Sequence, residues 1–405
     1  MKKILSQIKQ LSKEKRHMMA LFWIQAFANA ISSLFINVFV FLETQSITFL
    51  IVYSMIYHIA IFIGFVGVGY LFGRIQKSVK INYLYGFLIS FLSFVWVPLV
   101  APSMTNLLVF AVVNGVGGGI FWMANHAYEL AYTKNEDRDR DFYSSIEHAG
   151  SQIISMVAVI IGTILIFLAE RIFHVETFTI LFWFLPFVFL GSLPFLFSLP
   201  DHIPQRVSLT TMFRFLKWSN GRRVAWYYIF SNEQVASVAV TLFSVVALTS
   251  ALNIGMWQSI VGIIAFATTL WLANIRRAGN RVQIMKYALV GYVVVYGMLM
   301  FSDISLYFYI IFTLGMIVLK PMYRISQHVI DLRSVNIIST QENGSFSGLL
   351  ARDTILGFSR TFHLTIALLI ASTINDNVLT AKVLILFYLL VTVGNWFIVR
   401  KVTQQ

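Results

Sequence analysis

Apolar residues in this chain come in long runs separated by short polar and basic intervals, and the runs reach the roughly 18 to 20 residues that an α-helix needs to cross a bilayer. Twelve such runs fall at approximately 18 to 42, 47 to 73, 81 to 100, 104 to 132, 147 to 169, 177 to 199, 223 to 248, 252 to 275, 283 to 302, 304 to 330, 352 to 373 and 378 to 400. The pattern predicts an all-α integral membrane protein with twelve transmembrane helices. Its longest interval, SLPDHIPQRVSLTTMFRFLKWSNGRR, lies at the middle of the chain. The expected organisation is an N-terminal arm at 1–17, a six-helix bundle at 18–199, a central loop at 200–222, a second bundle at 223–400 and a tail at 401–405. Within the central loop, Leu209 to Trp218 can form a short amphipathic helix lying on the membrane surface. The basic residues ahead of the first run and the small-residue pattern Ala28-Asn29-Ala30 also fit a cleaved signal peptide. That run continues to Phe41, longer than a secretory apolar region, which favours a retained first helix.

Composition agrees with this class, since 58% of the 405 residues are hydrophobic and only 12% are charged. Cysteine is absent, which excludes a disulfide framework and any thiolate metal site. The formal charge of +13 would point to nucleic acid in a soluble chain, but here it is sorted by loop. One side collects Lys2, Lys3, Lys9, Lys13, Lys15 and Arg16, then Arg74, Lys77 and Lys80, then Lys134, Arg138 and Arg140. The same side holds Arg206, Arg214, Lys217, Arg222, Arg223, Arg276, Arg277, Arg281, Lys286, Arg333, Arg400 and Lys401. The other side has only Arg171 and Lys382. Because positive loops stay on the cytoplasmic side, both termini are expected there, in a multi-pass protein of the cell membrane. The basic excess then needs no nucleic-acid partner.

The two halves also carry a repeat. A shift of 202 residues lays NHAYEL, Asn125 to Leu130, over QHVIDL, Gln327 to Leu332, and pairs His126 with His328 and Glu129 with Asp331. It also lays Arg74 over Arg276 in the basic loops after the second and eighth runs. Two six-helix halves, cytoplasmic termini and a basic central loop resemble the major facilitator superfamily of secondary transporters along the whole chain. That family's loop pattern, Gly-x-Leu-x-Asp-Arg-x-Gly-Arg, is matched in GYLFGRIQK at Gly69, Leu71, Arg74 and Lys77. Gly73 stands where the pattern has its acid, and Gln76 where it has its second glycine. The resemblance implies two pseudo-symmetric bundles, helices 1, 4, 7 and 10 around a central cavity, helices 3, 6, 9 and 12 toward lipid, and a gating role for Arg74 and Lys77. The Gly-Pro motif of its antiporters is missing from helix 5, GSQIISMVAVIIGT.

Ionisable groups are expensive in hydrocarbon, so their placement points to function. Helices 3 and 6 hold none, helices 9 and 12 hold only Lys286, Lys382 and Arg400 near their ends, and the deep charges lie on helices 4, 7, 10 and 11. Asn125, His126 and Glu129 share one side of helix 4 near its cytoplasmic end. Because helix 10 repeats them at His328 and Asp331, they read as duplicated gating clasps, closing through Arg138, Arg140 or Arg333. Snorkelling interfacial residues are the alternative. Lys320, Arg324, Arg360 and His363 have no such counterpart, since the shift takes them to Gly118, Trp122, Ala158 and Ile161. Glu233 in helix 7 lies about 15 Å deep and Arg360 roughly 12 Å into helix 11, at 1.5 Å per residue. Lys320 is as deep as Glu233, and Arg324 sits one turn nearer the cytosol on the same face.

One acid with three bases leaves positive charge that an anionic group of a solute can balance. The competing structural readings are a Glu233–Lys320 ion pair and an Arg360 that snorkels to the headgroups. His58, alone on the largely apolar helix 2, is either a packing histidine or a proton relay. Asn29, with Gln25, either contacts solute or bonds between helices.

Catalytic signatures are missing: the chain has no His-Glu-x-x-His, Gly-x-Ser-x-Gly or Walker sequence, so neither an enzyme nor an ATP-driven pump is indicated, and no cofactor or metal is implied. The expected function is secondary transport of a small anionic or zwitterionic solute by alternating access, in a monomer among membrane lipid, with a proton or other ion as the open coupling partner. Efflux of lipophilic drugs, flipping of a lipid-linked anion and a non-transporting sensor or assembly partner on the same fold are the alternatives. Topology can be checked directly. Single cysteines placed in this cysteine-free chain at Ser103 and Asp303 are expected to react with an impermeant maleimide in intact cells, whereas one at Ser78 is expected to react only after permeabilisation. The opposite labelling would overturn the orientation.

Overall fold

A computed structural model describes residues 11–132, 137–204, 206–231, 233–275, 281–341 and 345–403. Among them are twelve helices long and apolar enough to cross a membrane. They are α1 Lys13–Thr44, α2 Ile47–Ile75, α3 Val79–Leu99, α4 Met104–Tyr132, α5 Asp137–Phe167 with a π-helical extension Leu168–Phe173, and α6 Thr179–Phe197. The second set is α7 Ser219–Leu248, α8 Ala251–Ile275, α9 Arg281–Phe301, α10 Leu306–Gln341, α11 Ser345–Thr373 and α12 Asn377–Thr403. We call the side with both termini and the basic loops the basic side.

Local chemistry sets the helix ends. Ser46 and Ser78 cap α2 and α3 by accepting the amides of Phe49 and Lys80. Gln45, Gln76 and Thr249 adopt the left-handed conformation that stops α1, α2 and α7, with φ of 50°, 55° and 61°. Several helices outrun their apolar stretch: α1 starts at Lys13, where Ser12 caps it, because the hydrogen-bond ladder continues past the hydrocarbon boundary. The expected amphipathic helix of the central loop is one short α-helix, Leu209–Phe213, followed by a 3-10 turn, Arg214–Lys217. Met212 and Phe215 are buried, while Leu209, Phe213 and Leu216 stay exposed. α7 departs more from expectation. It is broken into Ser219–Phe230 and Gln234–Leu248 at Ser231 and Glu233, where the Ser231 hydroxyl competes for a backbone carbonyl, that of Tyr227.

Packing repeats between the halves. α3 and α2 flank α4, as α9 and α8 flank α10, and α1 pairs with α5 as α7 does with α11. The halves meet along two related seams, α2 against α11 and α5 against α8. In the second seam Thr163 and Ser259 hydrogen-bond at 3.2 Å. At the end away from the basic side, the second piece of α7 touches α1 and α2. There Asn377 accepts the amide of Ile47 at 3.2 Å and donates to the Gln45 carbonyl at 3.1 Å, tying the first loop to the last.

Without a hydrophobic force between helices in lipid, small residues set how closely backbones approach. α4 uses Gly115 and Gly119 against α2, where a methyl group would stand 2.6 Å from the Tyr57 carbonyl oxygen and 2.2 Å from that of Ile61. Gly117 does the same toward α3, with Ser90 Oγ at 2.6 Å. Gly118, between them in sequence, faces open space with nothing within 4 Å. Gly119→Ala is therefore expected to lower stability by about 3 kcal/mol or more, since backbone must move. Gly118→Ala is expected to be neutral or to gain up to about 1 kcal/mol from helix propensity. Thermal unfolding of the two purified variants in detergent checks the contrast.

Candidate functional site

The break in α7 places backbone groups where no water is guaranteed, so they need partners from neighbouring helices. Ser359 of α11 donates to the Ile229 carbonyl at 2.7 Å, and Ser231 donates to the Tyr227 carbonyl at 2.8 Å. Asn395 of α12 donates to Ser231 at 3.1 Å and to the Tyr323 hydroxyl at 3.4 Å. These bonds hold Glu233 at the start of the second piece. Its Oε2 accepts from Arg324 of α10, and Lys320, one turn further along that helix, interacts electrostatically with both. The carboxylate's other oxygen, Oε1, is buried with no hydrogen-bond partner among the described residues. The acid thus pairs with Arg324 and not in a closed pair with Lys320.

The side chain of Arg324 is 56% exposed and that of Glu233 25% exposed, so the pair borders a space that no other side chain fills. Lys320 is exposed as well. Behind the pair stand four buried tyrosines, Tyr292 and Tyr296 of α9, Tyr323 of α10 and Tyr388 of α12. Their rings meet at centroid distances of 5.2 Å for Tyr292 and Tyr323 and 5.5 Å for Tyr296 and Tyr388. This wall keeps the site's inner side at low dielectric, which strengthens the ion pair. Sequence reasoning missed the tyrosines, although YALVGYVVVYGM places Tyr287, Tyr292 and Tyr296 along one helix.

A second group lies where α2, α7 and α11 meet. The side chain of His58 hydrogen-bonds that of Gln234, the residue after Glu233, and interacts electrostatically with Arg360. Half-buried Arg360 also interacts electrostatically with Tyr57 and with Asp353, which accepts from Arg352 at 2.9 and 2.6 Å. Asn29 is elsewhere in its bonding: its Oδ1 accepts from Gln25 one turn back on α1, at 3.1 Å.

Toward the basic side, the two clasp sequences have different partners. Asn125 is buried and accepts from Tyr83 at 2.6 Å. His126 stacks on Trp122 at 5.8 Å and meets Glu129 at 3.2 Å. Nearby, Tyr143 donates to the buried Glu147 at 3.3 Å. In the second half Tyr227 donates to Asp331 at 2.6 Å. The side chains of His328, Arg138, Arg140 and Arg333 lie outside the described ones. Asp331 follows the apolar stretch Leu306–Arg324 of α10, and burial pushes its carboxyl up to about 6, against the opposing effects of Tyr227 and Arg352.

Solved structures of similar shape include the nucleoside transporter NupG, at 13% identity with a TM-score of 0.67, covering 97% of this chain and 100% of that one. A proton-dependent oligopeptide transporter matches at 11% identity and a TM-score of 0.67, covering 96% and 98%. A bacterial homologue of the human lysosomal transporter Spinster, inward-facing and occupied, matches at 12% and 0.60, covering 97% and 98%. The chain has the major facilitator fold. No family model and no curated protein sequence matches it.

Within the major facilitator fold, the loop between α2 and α3 shows how this chain's departures from the family pattern are accommodated. Gln76, in place of the glycine, takes the left-handed backbone at φ 55° and donates its side-chain amide to the Gly73 carbonyl at 2.6 Å and to that of Pro204 at 3.1 Å. Ser78 donates to Asp201 at 2.9 Å, and Lys80 to the Phe197 carbonyl at 2.8 Å. An acid from the central segment thus serves this loop, which has none of its own. Arg74 and Lys77 are exposed.

The raised Asp331 group gives a pH test. Its ordinary value is 3.8, so the folded protein holds the proton more tightly than the unfolded chain, and stability falls as pH rises from about 4 through about 6. Asp331→Asn removes the charge while keeping an acceptor for Tyr227. The variant is expected to melt higher than the parent at pH 7.5, with the difference fading to nothing near pH 4.

Proposed function

We propose that the chain is a secondary transporter that moves a small anionic or zwitterionic solute by alternating access, with Lys320 and Arg324 binding its anionic group and Glu233 orienting Arg324 and carrying a coupling proton. The observation that supports it is the charge balance at the broken helix: one carboxylate faces Lys320 and Arg324, with Arg360 beyond, beside a space that no other side chain fills. Cations that outnumber acids at one point inside the bundle attract an anion. None of these charges has a counterpart in the first half, which sets them apart from features kept for symmetry. The fold's transporter neighbours add support for the class, though the solutes in their names belong to them. In this reading the protein works as a monomer in the cell membrane with its basic side in the cytoplasm. Arg74 and Lys77 in the α2–α3 loop, with Asn125, His126, Glu129, His328 and Asp331 at the ends of α4 and α10, tune the access equilibrium.

A melting-temperature screen of the purified protein over anionic, zwitterionic and cationic solutes tests this, because a ligand selective for the native state raises apparent stability. Anionic or zwitterionic solutes are expected to protect. Lys320→Gln or Arg324→Gln is expected to weaken that protection at least about tenfold, the size of a lost charge-assisted hydrogen bond. Glu233→Gln is expected to keep binding but abolish proton-driven accumulation in proteoliposomes. Protection by cations alone would overturn the assignment, and binding without flux would favour a sensor.

A further inference from the structure

We propose that the segment joining the two halves, from Ile203 to Trp218, is a docking surface for anionic phospholipid of the leaflet on the basic side, its cations holding the headgroup and its outward apolar side chains entering the acyl region. This surface is independent of the solute taken at the central site.

The segment runs between two membrane-crossing helices: α6 ends at Phe197 and α7 begins at Ser219, so both its ends lie where the chain leaves the hydrocarbon. One side of it is held against the protein. The Val79 amide donates to the His202 carbonyl at 2.8 Å, and the Gln76 side chain to that of Pro204 at 3.1 Å. Further on, Leu209–Phe213 packs on α11 and the turn Arg214–Lys217 on the start of α7, with Met212 and Phe215 buried. Arg222 closes the turn by donating to the carbonyls of Leu216 and Lys217 at 3.3 and 3.1 Å.

The outward side is mixed. Ile203, Leu209, Phe213, Leu216 and Trp218 are exposed, from 36% for Leu216 to 57% for Ile203. So many large apolar groups in so short a stretch mark a surface that something apolar covers. Arg206, Arg214 and Lys217 are exposed among them. From His202 to Arg223 the sequence has no Asp or Glu, and among the described residues no ion pair engages these three cations.

The charge and the apolar groups together select the occupant. An amphipathic stretch of this composition lies in the headgroup region with its apolar side chains in the acyl boundary, and each Lys or Arg there strengthens binding to an anionic leaflet about fivefold. Lipid is already adjacent at both ends of the segment, and an anionic headgroup supplies the negative charge that the segment lacks. The tryptophan at its junction with α7 is the residue type that membrane boundaries favour.

The test is the melting temperature of the purified full chain in neutral detergent with dioleoyl phosphatidylglycerol, dioleoyl phosphatidylcholine or glycerol 3-phosphate added. Phosphatidylglycerol is expected to protect at a concentration at least about tenfold below phosphatidylcholine, and glycerol 3-phosphate to give no protection. Arg214→Gln combined with Lys217→Gln, which leaves the buried side of the segment intact, is expected to collapse that preference to within about threefold. Lys13→Gln combined with Arg16→Gln, equal in charge and exposed at the start of α1, is expected to leave it within about twofold of the parent's. Phe213→Ser is expected to weaken protection by both lipids at least about threefold, through the lost apolar contact. Equal protection by the two lipids, an equal loss in the Lys13 and Arg16 variant, or protection by glycerol 3-phosphate that matches phosphatidylglycerol overturns the docking surface. So does a lipid-free dimer that Phe213→Ser breaks in analytical ultracentrifugation, which assigns the face to a second copy of the chain.

Discussion

The ion pair between Glu233 and Arg324 forms at the point where α7 is interrupted. A continuous helix would bury its backbone groups in its own ladder and leave Glu233 as one more side chain on a cylinder. The interruption turns that residue into the start of a new helix. Every group the break releases has to be met by protein, since lipid offers no hydrogen bonds. Ser359 and Ser231 bond the carbonyls of Ile229 and Tyr227, and Asn395 holds Ser231, drawing α11 and α12 around the same point. The tyrosines of α9, α10 and α12 close the inner face, and the cations of α10 are left facing the open one.

Close packing elsewhere makes room for this irregularity. α4 is wedged between α2 and α3 by glycines that admit no side chain toward either, and the halves join along two seams related by the internal pseudo-symmetry. The α2–α3 loop shows the same economy: Gln76 tolerates a left-handed backbone because its own amide bonds two carbonyls, and Asp201 reaches Ser78 from the central segment.

Duplication and divergence are both visible in the result. Glu129 and Asp331 occupy matched positions, yet one meets a histidine of its own helix and the other a tyrosine of α7. A shared position does not impose a shared partner, because the partner is set by which residues the same and neighbouring helices bring within reach.

The sequence by itself determined the twelve spans, since these follow from the run length of apolar residues. It also singled out Glu233, Lys320, Arg324 and Arg360 by their lack of counterparts. It did not reveal the interruption of α7: hydropathy sums over a window and is blind to three polar residues inside an apolar run. Nor did it pair Glu233 with Arg324 over Lys320, bring His58 to Gln234, or surround the site with tyrosines. Those outcomes depend on which faces of non-adjacent helices meet. That is decided by backbone approach at positions such as Gly115 and Gly119 and by hydrogen bonds reaching from α11 and α12, and only the tertiary structure contains it.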